Sequence, residues 1–63
     1  MIEVYGTTFA SVREIKPGML VRRLASFQVV VDVRTIEENA VRLWLDDGNT
    51  ITIGPKGLVE IAR

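Results

Sequence analysis

The chain has no cysteine and no histidine. Disulfides, thiolate nucleophiles, the common zinc sites and histidine acid–base or triad chemistry are therefore excluded. An excess of one charge is missing too: eight Lys and Arg balance eight Asp and Glu. A dedicated nucleic-acid binder normally carries a basic surplus that displaces counterions from phosphate, so only a local patch is available here for that work. No apolar run approaches the about 20 residues that span a bilayer. Met1-Ile2-Glu3-Val4 also lacks the basic segment and apolar core of a leader. The expectation is a cytoplasmic protein with no membrane partner. Aromatic residues are scarce, being Tyr5, Phe9, Phe27 and Trp44 alone.

What is present describes a small globular unit. At 63 residues the chain is expected to form a single domain, 1–63. A domain of this size buries only about 60% of the surface its unfolded form exposes. Small scaffolds with marginal cores recruit staples or partners. With disulfides excluded, packing, a closed sheet or self-association remain.

Hydrophobic residues recur at every second position over residues 27–53, the period of half-buried strands. Phe27, Val29, Val31 and Val33 share one parity, as do Val41, Leu43, Leu45, Ile51 and Ile53. These are expected to face the core, which leaves Val30, Asp32, Arg34, Arg42, Trp44 and Asp46 facing outward. Parity also sets loop lengths. If Val33 sits beside Leu43, the loop around Glu37-Glu38-Asn39 holds an odd number of residues, and three with Asn39 left-handed satisfy this. Leu45 beside Ile51 likewise requires an odd loop, or a one-residue bulge near Gly48.

Further strands are expected at residues 19–24 and 58–62, and a short one at 2–5. Gly6-Thr7-Thr8 is expected to break the first of these in sequence. Phe9, Val12 and Ile15 recur three apart, and their β-branched neighbours favour a curved arm over a helix. Lys16-Pro17-Gly18 has the pattern of a type II turn. Gly54-Pro55-Lys56-Gly57 is too short for an α-helix and is expected to form one 3₁₀ turn.

Two long central strands joined by short hairpins, then a short strand, a tight turn and the ending Leu58-Val59-Glu60-Ile61 resemble an SH3-like small barrel. The resemblance spans residues 12–62 and implies an all-β fold of about five antiparallel strands with a 3₁₀ turn before the last. SH3 domains that take proline-rich peptides use an aromatic-lined groove, which four aromatics do not supply. Pro17-Gly18-Met19-Leu20-Val21, residues 40–48 and Thr50-Ile51-Thr52-Ile53 are also similar to short uncharacterised proteins of actinobacteria and their phages. Neither the RNA-contact motif of Sm-like barrels nor that of small dimeric RNA regulators is present.

The candidate site lies on the outward face of the central strands. A three-residue loop sets Arg34 opposite Arg42 and Asp32 opposite Trp44. Facing arginines repel, so a carboxylate or an anionic partner is required nearby. Tryptophan and arginine are the types enriched at binding hot spots. Two readings of Trp44 stand side by side: a partner covers it, or the N-terminal arm folds over it and makes it core.

Arg22, Arg23, Arg34 and Arg42 form a basic stripe only if their strands align, and stems covering apolar surface are the simpler reading. Asp46-Asp47-Gly48-Asn49 lacks the distal glutamate of a calcium loop and reads as turn chemistry. Gly54-Pro55-Lys56-Gly57 lacks the Ser or Thr and the helix of a phosphate loop. No catalytic set, metal site or cofactor is expected. The expected role is that of a small non-enzymatic protein-interaction module binding through Trp44, Arg42, Arg34 and Asp32, or through an exposed strand edge. A nucleic-acid-binding barrel and a structural homo-oligomer are the alternatives.

Overall fold

The computed structural model describes residues 6–63. They form six strands: β1 (Thr7–Ser11), β2 (Leu20–Arg23), β3 (Ser26–Thr35), β4 (Val41–Leu45), β5 (Thr50–Ile53) and β6 (Leu58–Ala62). All pair antiparallel in one open sheet of order β1-β6-β2-β3-β4-β5. The fold is all-β, as expected, with six strands rather than five. The additional strand is β1, where a break and an arm were expected. Thr7 and Thr8 are β-branched and favour extended backbone, and β1 runs the whole length of β6 from Thr7 opposite Ala62 to Ser11 opposite Leu58. The strand expected at 2–5 lies outside the described residues.

One 3₁₀ turn, Val12–Glu14, follows β1, with the Ser11 hydroxyl accepting from the Arg13 amide at its start. This turn drops Val12 and Ile15 into the core. The Val12 amide donates to the Gly57 carbonyl at 3.0 Å, which ties it to the β5–β6 connection. Lys16-Pro17-Gly18-Met19 closes as a type II turn: the Met19 amide donates to the Lys16 carbonyl, and Gly18 takes φ +94°, which costs a residue without Cβ nothing. At the other end, Gly54 to Gly57 makes a single β-turn through a 2.9 Å bond from the Gly57 amide to the Gly54 carbonyl. It is a single turn closed by one such bond, of the length expected there, and is not part of a 3₁₀ helical segment. The second 3₁₀ segment, Glu37–Asn39, instead forms the β3–β4 connection.

β3 carries the sheet from one half to the other. Residues 26–29 pair with β2, and residues 30–35 pair with β4. Between Val30 opposite Leu45 and Asp32 opposite Trp44 the register shifts by one, so Val31 is an extra, bulged residue. A bulge reverses side-chain parity along its own strand. The expected inward set Phe27, Val29, Val31 and Val33 is therefore corrected. Val33 packs on the core, whereas Val30 is 1% exposed and Val31 is 54% exposed. Phe27 and Val29 sit opposite Arg22 and Leu20, on the face away from the core.

β4 keeps its expected parity, with Val41, Leu43 and Leu45 buried. Both hairpins have the odd loops that this parity requires. Ile36 donates to Ala40 across a three-residue loop in which Glu38 and Asn39 both have positive φ. Leu45 donates to Asn49 across Asp46-Asp47-Gly48, with Gly48 at φ +86°. The core consists of Val12, Ile15, Val21, Val30, Val41, Leu43, Leu45 and Val59. It is aliphatic throughout: the described aromatics, Phe9, Phe27 and Trp44, all lie outside it.

Candidate functional site

Residues 32, 34, 42 and 44 meet on the outer face of β3 and β4. Beyond the bulge the ladder sets Asp32 opposite Trp44 and Arg34 opposite Arg42. Trp44 is half-buried between two core leucines on β4, its indole turned away from them. The Arg34 guanidinium carbon lies 5.6 Å from the centre of the ring, and that of Arg42 lies 6.0 Å away. Both distances are within reach of cation–π attraction. The negative ring face attracts both cations and so offsets part of the repulsion expected of facing arginines.

The two guanidiniums differ in their other partners. Arg34 Nε donates to Asp32 Oδ2 at 3.1 Å, and Asp32 Oδ1 accepts from the Val33 amide at 2.9 Å. Arg42 Nε donates at 3.1 Å to the Thr52 hydroxyl of β5, a neutral group. Asp32 thus pairs with Arg34 alone, and two guanidiniums beside one carboxylate leave the cluster one positive charge in excess. The Arg34–Asp32 pair is largely exposed, so its contribution to stability is about 0–1 kcal/mol. Its effect is to hold Arg34 against the ring.

The described part of the N-terminal arm does not cover Trp44. It runs along β6, on the far side of β2 and β3 from β4. The four arginines do not gather into one stripe either. Arg22 bonds Glu60 on β6 at 3.2 Å. Arg23 has the opposite parity on β2 and pairs with Ser26.

A cleft of about 270 Å³ opens between the Val12–Glu14 turn and the β3–β4 hairpin, lined by Val12, Arg13, Val33, Thr35, Asn39 and Val41. Its floor is three valines, and no acid–base pair or nucleophile–base pair lines it. In the β4–β5 turn Asp47 accepts from both the amide and the side chain of Asn49, each at 2.9 Å. These bonds, the side-chain one foremost, hold the Asp47 carboxyl below its ordinary value. The Asp47 oxygens are thus occupied within the turn. Among the described residues no group of three His, Cys, Asp or Glu is placed to hold a metal ion. No helix among them is long and apolar enough to cross a membrane.

Sequence reasoning missed the outer face of β1, β6 and β2. Phe9 and Leu58 are each 65% exposed and Leu24 is 81% exposed. The signal was present in Met19-Leu20-Val21 and Leu58-Val59, apolar at consecutive positions, which is the mark of strands covered on both faces. No family model, curated protein or solved structure matches the chain.

Proposed function

We propose that the chain is a small, non-enzymatic protein-binding module of SH3-like architecture, and that Arg34, Trp44 and Arg42, with Asp32 as a positioning carboxylate, form its binding surface. The order β6-β2-β3-β4-β5, with a tight turn entering β6, supports the SH3-like reading, β1 being an addition at one edge. The observation that carries the functional reading is the half-exposed indole with two guanidiniums close to its ring, of which Arg34 is paired with a carboxylate and Arg42 bonds only a neutral hydroxyl. Such a cluster offers an apolar, polarisable plate beside a guanidinium whose bonded partner is neutral. The complementary ligand is a peptide segment with an acidic side chain next to an apolar or aromatic one, the carboxylate meeting Arg42 and its neighbour lying on Trp44.

Trp44 is the sole tryptophan, so its emission reports the site directly. Titration with a panel of acidic, aromatic-containing peptides is expected to give a saturable change for some members, weakened tenfold or more by Arg42→Ala, a loss of about 1.4 kcal/mol. Arg42→Lys restores this only in part, because lysine lacks the planar fork. A flat response across the panel contradicts the proposal. A response confined to mixed-sequence oligonucleotides, falling steeply with salt, would assign the cluster to nucleic acid instead.

A further inference from the structure

The outer face of β1, β6, β2 and the first half of β3 carries a pattern that a second copy of the chain completes. Cross-strand register places Phe9 opposite Glu60 and Arg22 opposite Phe27. Val21 opposite Ile61 brings Arg22 beside Glu60, where the two are bonded. One row across four strands thus reads aromatic, acid, base, aromatic: Phe9, Glu60, Arg22, Phe27. Two positions along on one side lie Leu58 on β6 and Leu24 just beyond β2. On the other side lie Thr7, Ala62, Leu20 and Val29.

We infer that this face is the interface of a two-fold homodimer, its axis lying in the interface and running along the strands between β6 and β2. Such a rotation lays strand positions of β6 over those of β2, and β1 over β3. Arg22 of each copy then meets Glu60 of the other, Phe9 meets Phe27, and Leu58 meets Leu24. An isologous interface has to be self-complementary in this way. The face carries one positive and one negative charge, placed symmetrically about the axis, and the chain is neutral overall. A second copy therefore meets no net repulsion, whereas an acidic or basic partner leaves one charge of the pair opposed.

The chemistry fits the same occupant. The Glu60 carboxylate already accepts from Thr7 and Arg22, so a copy closing over the face buries satisfied polar groups. Specific interfaces begin near about 1,000 Å² in total, or about 500 Å² from each copy. A face roughly 19 Å across four strands and 17 Å along them, about 320 Å² in projection and bearing two phenylalanines and three leucines, falls short of that bound. Association is accordingly of the weaker, concentration-dependent class. This surface uses none of the residues of the Trp44 cluster and meets it only along β3, before the bulge, so it stands or falls separately from the peptide-binding proposal.

The test is sedimentation of the intact chain over a concentration series, with Arg22→Glu and Glu60→Arg prepared separately and then mixed. The wild type is expected to move from monomer to dimer. Each single variant is expected to lose this at least tenfold, because it meets its own like charge. An equimolar mixture recovers association: the first variant then carries carboxylates at both positions and the second guanidiniums at both, so each group faces its opposite across the axis. The pair within each chain stays broken in the mixture, so recovery reports contact between chains only. Circular dichroism confirms that the variants fold. Should either fail to, Phe9→Ser with Leu58→Ser, both at exposed positions, is expected to weaken the dimer tenfold or more with the strands intact. A wild type that is monomeric at about 1 mM overturns the inference. So does a dimer that folded charge variants and the serine variant all leave unchanged.

Discussion

Trp44 shows how one residue acquires a role from its neighbours. A lone half-exposed indole is unremarkable on a small domain. Two guanidiniums at 5.6 and 6.0 Å turn it into a surface that favours anions next to apolar groups. Because Trp44 alternates with buried Leu43 and Leu45, truncating it removes outer-face contacts and leaves the core untouched. Trp44→Ala is expected to abolish peptide binding while costing less stability than Leu43→Ala, for which about 2–5 kcal/mol is expected. Paired denaturation curves check this, and equal losses would place the ring in the core. Asp47 provides a separate residue-scale test. Its bonds to Asn49 depress its folded pKa below the ordinary 3.8. The bonds therefore contribute fully above that value and are lost as pH falls through the lower, folded one. The Asn49 amide resonance is expected to titrate with a midpoint below 3.8, and a midpoint at or above it contradicts the turn geometry.

The bulge at Val31 is the element that sequence alone concealed. Alternation on β4 and β5 was legible because nothing interrupts it between Val41 and Leu45 or between Thr50 and Ile53. The odd loops at Glu37-Glu38-Asn39 and Asp46-Asp47-Gly48, and with them the meeting of Asp32, Arg34, Arg42 and Trp44, followed from parity. Val29-Val30-Val31 carries no parity information, being apolar at every position, and one inserted residue reverses all that precedes it. β1 escaped notice for a related reason: its largest side chain, Phe9, faces outward while the small Ala10 packs inward. The bulge makes a direct prediction. Val30→Ala is expected to cost about 2 kcal/mol, two buried methyl groups at roughly 0.8 kcal/mol each plus a small cavity. Val31→Ala is expected to stay within about 0.5 kcal/mol of wild type. An uninterrupted strand with Val31 inward requires the reverse order.

Over the whole molecule the side chains divide by type between core and surface. Eight aliphatic residues form the core, and the described aromatics are all spent on the outside. Small domains hold only about 0.05–0.15 kcal/mol of stability per residue, so a chain without cysteine gains from covering one outer face with a copy of itself. Thermal unfolding is then expected to shift upward with protein concentration, as mass action requires of a dimer that exists only when folded. A midpoint independent of concentration would count against that coupling. The other outer face, around Trp44, is the one proposed for a peptide partner, and that proposal requires the ring to be reachable by solvent and set beside cations. Collisional quenching of the single tryptophan tests this most directly. Iodide is expected to quench Trp44 emission markedly more than caesium at equal ionic strength, with the difference reduced in Arg42→Ala. Emission that neither ion quenches, or that caesium quenches more, would contradict the account.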